Sequence, residues 1–180
     1  SPATVFPSCA NIYVEDEDLY KSSWTNYASK ITSTVEGSCG TNATWSLNLA
    51  TGVMTIGGTG AMDDYSSSPY GPWYTNYRPY IASVVVEDGI TRIGSYAFYS
   101  CYAALTSVTI PTSVTSIGAH AFYDCNILNL EGAFYAGNVN QWCGITFDDE
   151  SASPTYKAKK LYVNNDQLLK QMDIYDSGEY

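Results

Sequence analysis

Two segments of this chain repeat each other at an offset of 24 residues without a gap, and this repeat restricts the fold more than any other feature. Segment 81–101 reads IASVVVEDGITRIGSYAFYSC, and segment 105–125 reads LTSVTIPTSVTSIGAHAFYDC. The positions of the first segment that are identical in the second are Ser83, Val84, Thr91, Ile93, Gly94, Ala97, Phe98, Tyr99 and Cys101. A coil this short cannot bury its own apolar edge, so the repeat predicts stacked coils, which is a solenoid.

Each repeat has a pattern that predicts the path of one coil. Val84 and Val86 occupy alternate positions, which is the period-2 pattern of a strand with one buried face. The polar residues 87–89 then turn the chain, and a second short apolar stretch follows. We expect Gly94 and its copy Gly118 to supply the backbone freedom that a sharp corner needs.

The phrase SVTIPTSVTSIGAHAFYDC, together with its twin around GITRIGSYAFYSC, resembles the BspA-like leucine-rich repeats of bacterial surface proteins. Residues 37–65, followed by Pro72-Trp73, resemble the module that often precedes these repeats, and residues 134–165 resemble the irregular repeat of the family. The resemblance implies a fold that is α/β by the leucine-rich-repeat convention but mostly β in content. It implies a right-handed solenoid of ~24-residue coils with parallel stacked strands.

The segments outside the regular repeats complete the expected organisation. Residues 45–49 and 53–56 alternate around a Gly-containing turn and predict a β-hairpin that covers the front of the solenoid. We therefore expect residues 37–180 to contain this hairpin cap and the solenoid, with two regular repeats over 81–125 and an irregular repeat over 126–165.

We expect residues 1–36 to form a separate N-terminal segment, with a short strand at 11–14 and a helix from 15 to 30. This strand–helix pair resembles the element that closes repeat arrays elsewhere in the family. Because a closing element here precedes an opening hairpin, we expect residues 1–36 to be the tail of an upstream array. The chain would then be a slice of a longer protein.

The composition excludes several classes of function. The net charge of −10 argues against nucleic acid as a partner, since phosphate binding needs clustered Lys and Arg. No apolar run approaches 18 residues, so we expect no membrane insertion in this segment. The low charged fraction of 14% and the 17 Tyr residues favour an extracellular or cell-surface location, although the repeat itself accounts for much of this composition.

Five cysteines do not form a recognisable metal or redox motif. They are Cys9, Cys39, Cys101, Cys125 and Cys143, and no pair has CxxC spacing. Cys101 and Cys125 occupy the same repeat position and are expected to lie one above the other. Two arrangements stay open for this pair, namely buried thiols, which we favour, and a disulfide between adjacent coils.

No catalytic or metal-binding constellation is expected. His120 is the only histidine and aligns with Tyr96 of the other repeat, which indicates a surface position without a nucleophile or an orienting acid. The acidic runs 15–18, 63–64 and 148–150 lack the spacing of a calcium loop and are expected to be solvated. We therefore predict neither an enzyme nor a cofactor.

The remaining candidate is the outward face of the stacked strands. We expect Val85, Glu87, Ser107 and Thr109 to contact a partner there, because solenoids use such extended faces for binding. Nearby tyrosines that could add to a recognition surface are Tyr96, Tyr99, Tyr102 and Tyr123, the two shared by both repeats (Tyr99 and Tyr123) being better explained as structural. Met62, Trp73 and Tyr77 are expected in a core beneath the hairpin, the alternative being an exposed sugar platform formed from Trp73, Tyr74 or Tyr77.

The functional expectation is a non-enzymatic ligand-binding or adhesion module of a bacterial surface or secreted protein. The resemblance implies a host or neighbouring-cell surface protein or glycan as the partner, and we expect the chain to be a monomer. The alternative is a structural spacer or a carbohydrate-contacting accessory module of a larger surface protein.

Overall fold

The computed structural model of the protein describes residues 12–13, 16–23, 31–67, 70–101, 104–125, 132–156, 160–164 and 172–173. The fold is mostly β, with two short helices and three single turns of 3₁₀ helix among these residues. In chain order the elements are β1 (Ile12–Tyr13), α1 (Glu17–Ser23), β2 (Ile31–Thr32), β3 (Thr34–Ser38), β4 (Ala43–Asn48), β5 (Val53–Gly58), β6 (Gly60–Ala61), β7 (Ser83–Val86), β8 (Ile90–Ile93), β9 (Ser107–Ile110), β10 (Ser116–Ile117), β11 (Gly132–Tyr135), α2 (Val139–Cys143), β12 (Thr146–Phe147), β13 (Lys160–Val163) and β14 (Met172–Asp173). The 3₁₀ turns span Arg78–Tyr80, Glu150–Ala152 and Pro154–Tyr156.

Two sheets run along the molecule, and each gains one parallel strand per repeat. The larger sheet has the order β14-β13-β11-β9-β7-β5-β4-β3, and the smaller sheet has the order β12-β10-β8-β6. Strands β7 and β9 pair in parallel with Ser83 opposite Ser107 and Val84 opposite Val108, which is the 24-residue offset of the sequence repeat. The stacked parallel strands predicted from the repeat therefore form, while the right-handed winding stays a prediction.

The hairpin of the sequence prediction is present as β4 and β5, which pair antiparallel from Ala43–Gly58 to Asn48–Val53. Strand β5 then pairs in parallel with β7, so the hairpin continues the sheet of the repeats directly. Strand β3 adds a third antiparallel strand that the alternation pattern did not predict. This strand begins at Thr34, so its first residues belong to the N-terminal segment predicted over 1–36.

The N-terminal segment is described in part. Strands β1 and β2 pair in parallel, and α1 begins just after Asp16, whose Oδ1 accepts a hydrogen bond of 2.9 Å from the Leu19 amide. This contact is that of a helix N-cap, as expected for an acidic residue at a helix start. Residues 24–30, the rest of the predicted helix, lie outside the described residues.

The core is a ladder of equivalent side chains from successive coils. Phe98 and Phe122 are fully buried with ring centroids 5.3 Å apart, and the Trp73 ring lies 5.7 Å from that of Phe98. The Trp73 indole also donates a buried hydrogen bond of 2.9 Å to the Ala97 carbonyl. Trp73 therefore fills the phenylalanine position of the coil before the first regular repeat, and its core role is confirmed.

Cys101 and Cys125 form a second buried ladder beside the aromatic one. Both are free thiols, and the Cys125 Sγ donates to the Phe98 carbonyl at 3.1 Å. Burial raises the pKa of Cys101 well above its ordinary value, and the neighbouring Cys125 raises this pKa further. The arrangement is that of packed thiols, and Cys9 lies outside the described residues.

The two repeat glycines are needed for space and not for backbone freedom, which corrects our expectation. Neither Gly94 nor Gly118 has a positive φ. A Cβ at Gly94 would collide with the Asp63 carbonyl, and a Cβ at Gly118 would collide with the backbone of Ser95. The left-handed positions of these coils are instead taken by other residues, namely Tyr96, Ser100, His120 and Asp124 with φ of 55°, 58°, 58° and 59°.

Candidate binding surfaces

The larger sheet has one buried face and one outward face, because side chains alternate along each strand. Val84 and Val86 of β7 are buried, while Val85 between them is only half-buried. The same alternation holds in β9. Register pairs place outward residues in one central row that crosses seven strands, namely Glu36, Ser46, Thr55, Val85, Thr109, Phe134 and Tyr162.

The four residues predicted to contact a partner lie on this outward face. Val85 and Thr109 are register neighbours in the central row, and Ser107 lies opposite Ser83 in the adjacent row. Glu87 follows β7 directly and is exposed. The structure therefore brings the four residues to one surface, and their contact with a partner stays a prediction.

One end of the strand face contains an acidic groove of about 430 Å³. Glu36 and Glu87 line it together with the outward residues Ser46 and Thr55. The Glu87 carboxylate lies over Gly57, since a Cβ at that position would be only 2.6 Å from the Glu87 Oε2. The glycine thus keeps the floor of the groove open beneath the carboxylate.

The other end of the strand face is aromatic. The rings of Phe134 and Tyr162 stack with centroids 4.7 Å apart and planes 10° apart, and both side chains are half-buried. This pair is not among the predicted contact residues, which all lie in the two regular repeats. The signal was present in the irregular repeat, where Phe134 alternates with Ala133 and Tyr135, both buried.

His120 lies at a partly exposed position and has an acidic neighbour that the sequence did not reveal. Its Nδ1 lies 2.6 Å from the Asp149 Oδ2, and its ring stacks on Tyr96 with centroids 4.9 Å apart. Partial burial raises the pKa of Asp149, but hydrogen bonds from Ser151 and His120 outweigh it and leave that pKa below its usual range. The Ser151 hydroxyl donates to Asp149 at 2.8 Å, so it is not directed at the imidazole as a nucleophile would be.

The sugar platform considered for Trp73, Tyr74 and Tyr77 does not form. Trp73 is only 1% exposed, and Tyr77 packs against the Trp45 ring at 5.9 Å. Tyr74 stacks on Tyr70 at 3.7 Å and contacts a guanidinium on its ring, so it has no exposed partner among these residues. Tyr102 lies outside the described residues.

The two acidic runs after the hairpin make contacts within the protein. Arg92 lies 3.2 Å from Asp64 and 2.8 Å from Asp148, and it thereby joins an early segment of the chain to a late one. Partial burial raises the pKa of Asp64, but hydrogen bonds from Ser95 and the charge of Arg92 lower it overall. Within the described ranges no three His, Cys, Asp or Glu residues are grouped to hold a metal ion.

Comparison with known proteins agrees with this geometry. Residues 74–143 match the family model described as "BspA type Leucine rich repeat region (6 copies)". The chain carries a BspA-type leucine-rich repeat region. Such regions suggest a protein-interaction or surface module and are generally not enzymes.

A solved structure is also similar to this chain. It is the crystal structure of a leucine-rich repeat protein from Eubacterium ventriosum, with 24% sequence identity and a TM-score of 0.48. The match covers 73% of this chain and 44% of the other, so the chain spans less than half of that protein. A search of the curated proteins found no match. In the part of the chain that the structure describes, no helix is long and apolar enough to cross a membrane.

Proposed function

We propose that this leucine-rich repeat chain is an adhesion module that binds a protein on a host or neighbouring cell, with the outward strand face as its contact surface. The location that goes with this proposal is a bacterial cell surface or the extracellular space. The observation that carries it is the stacked pair of Phe134 and Tyr162, which lies in the same row as Val85 and Thr109.

The surface has the chemical features of a protein-binding patch. Partly exposed aromatic rings supply large contact areas at low entropy cost, and aromatic residues are enriched at the centres of protein interfaces. Small polar side chains beside them, such as Ser107 and Thr109, have hydroxyl groups that can donate and accept hydrogen bonds with a partner. The carboxylates of Glu36 and Glu87 at the other end add charge that fixes the orientation of the partner.

The experiment places two arginines on the face and measures adhesion. Beads that carry the wild-type chain, the Val85→Arg/Thr109→Arg variant or a Thr75→Arg/Thr91→Arg control are mixed with panels of host and bacterial cells. The control adds the same charge at two exposed threonines away from this face. We expect the strand-face variant to lose adhesion at least about tenfold, because a desolvated interface tolerates no buried unpaired charge.

Stability is the check on this interpretation. Val85 and Thr109 are half-buried with outward side chains, so both variants should melt within about 2 °C of the wild type. Adhesion of the strand-face variant at the wild-type level would contradict the proposal. Wild-type beads that adhere to no cell of the panels would also contradict it and would favour a structural spacer.

A further inference from the structure

A column of stacked tyrosines runs along a different side of the coils from the strand face. Tyr74 stacks on Tyr70 with centroids 3.7 Å apart, Tyr70 lies 5.9 Å from Tyr99, and Tyr99 lies 5.5 Å from Tyr123. The planes of these successive pairs differ by only 10°, 21° and 8°. Tyr99 and Tyr123 occupy the same repeat position, so the 24-residue repeat itself places one ring over the next.

One end of this tyrosine column is covered by a cation from the chain itself. The guanidinium carbon of Arg78 lies 4.2 Å from the centroid of the Tyr74 ring. A guanidinium over an aromatic face is attracted by the negative potential of the ring. The contact shows that a terminal ring of this column can bind a guanidinium group on its face.

The other end of the tyrosine column opens into a groove. Tyr123 is 40% exposed, and the rings that contact it among the described residues are those of Tyr99 and His120. The groove has a volume of about 290 Å³, and the residues that line it are His120, Tyr123, Asp149, Glu150, Ser151 and Tyr156. A second stack, Tyr96 on His120, ends at the same groove.

Two carboxylates, those of Asp149 and Glu150, line the same groove as the terminal ring. The pKa of Asp149 lies below its usual range, so this carboxylate is ionised at neutral pH, and it is held by His120 and Ser151. Glu150 is exposed, and no hydrogen bond or ion pair of its side chain is seen among the described residues. None of the described residues that line the groove is Lys or Arg.

We propose that this groove binds the side chain of an arginine from a partner protein, with the guanidinium stacked on Tyr123 and paired with Glu150. Arginine is the side chain that meets a planar ring and a carboxylate at once, since its planar fork stacks and donates hydrogen bonds together. The net charge of −10 attracts a cationic partner toward the surface. The site lies on a different side of the coils from the strand face and does not depend on the function proposed for that face.

The experiment uses three short peptides that differ in one residue. Each has a central Arg, Lys or citrulline between Gly and Ser residues with blocked ends, and binding to the full chain is followed by amide NMR shifts at about 0.15 M ionic strength. We expect the Arg peptide to bind about fivefold more tightly than the Lys peptide, and the neutral citrulline peptide to bind most weakly. The shifted amides should include those of Tyr123 and Glu150.

Variants separate the groove from general charge attraction. Glu150→Gln and Tyr123→Leu should each weaken binding of the Arg peptide about threefold or more, while Asp88→Asn, which removes an exposed carboxylate elsewhere, should leave it unchanged. Glu150→Gln changes a surface side chain only, so this variant keeps the test valid even if the tyrosine substitution disturbs folding.

Three results would overturn the proposal. The first is equal binding of the Arg and citrulline peptides, since the groove would then not distinguish a charged side chain from a neutral one. The second is equal weakening by Asp88→Asn and Glu150→Gln, which would indicate a diffuse acidic surface. The third is binding of a neutral oligosaccharide that depends on Tyr123 while the Arg peptide shifts no groove amide, which would assign the groove to a sugar.

Discussion

Gly118 lies where two successive coils approach each other closely, and its replacement by alanine tests why the repeat contains a glycine there. A Cβ at this position would lie against the backbone nitrogen of Ser95, 2.6 Å from its Oγ and 2.7 Å from its Cα. Two of these three atoms belong to the backbone, so no rotamer change removes the collision. The coils must separate locally to admit a single methyl group.

The cost of this separation follows from the buried contacts next to Gly118. Neighbouring Ile117 and Phe122 are fully buried, so a displaced coil loses core packing. Overpacking of a tight core costs about 1–3 kcal/mol, and a change of 1 kcal/mol moves the Tm by about 2–4 °C for a protein of this length. We therefore expect Gly118→Ala to lower the Tm by about 4–10 °C in thermal unfolding followed by circular dichroism.

Two further variants separate lack of space from lack of backbone freedom. Gly144 ends α2 with φ of −84° and is exposed, so Gly144→Ala should leave the Tm within about 2 °C of the wild type. At Gly118, asparagine tolerates left-handed backbone better than alanine but is larger. If space is limiting, Gly118→Asn is at least as destabilising as Gly118→Ala. A Tm for Gly118→Ala equal to that of the wild type, or recovery of stability by asparagine, would refute the reasoning.

Two more predictions concern titrating groups. Burial raises the pKa of Cys125 to about 12, which leaves about a thousandfold less thiolate than a thiol of pKa 9.0. In native protein, iodoacetamide should therefore label the exposed Cys143 and spare Cys125 and Cys101 until denaturant is added, as measured by peptide mass spectrometry. Labelling of Cys101 in native protein would contradict the buried thiol ladder. The pKa of Asp64 is lowered in the folded state, so its contribution to stability is present above its ordinary pKa of 3.8 and is lost as pH falls through the folded pKa. Asp64→Asn should therefore lower the Tm at neutral pH, and the difference from the wild type should be lost as the pH falls through the folded pKa. A constant difference at all pH values would indicate a role other than charge.

The regular part of the fold could be predicted because residues that are one repeat apart in the sequence pair with each other in neighbouring strands. Residues 24 apart, such as Val84 and Val108, become direct neighbours in the sheet. Their burial follows from the period-2 pattern, which needs no information from other coils. The outward position of Val85 and Thr109 follows in the same way.

Features that depend on contacts between unequal segments could not be predicted. Trp73 takes the place of Phe98 in the preceding coil, but it lies 25 and not 24 positions before it, and its surroundings do not match the repeat. The pairing of His120 with Asp149 joins a regular coil to the irregular one, for which the repeat gives no register. In both cases the contact depends on the path that the chain takes outside the regular repeats, which the 24-residue pattern does not describe.

The repeat places like side chains over each other whether they face the core or the solvent. In the core this produces the buried stack of Phe98 and Phe122, and at the surface it produces the stack of Tyr99 and Tyr123. Inside a stack each ring has neighbours on both faces, so only a terminal ring offers a free face to a ligand. Tyr123 is the last ring of the tyrosine column, and the irregular coil brings Asp149 and Glu150 to the groove beside it. The end of the regular repeat thus combines a free tyrosine face with two carboxylates in one groove, an arrangement that the regular coils do not contain.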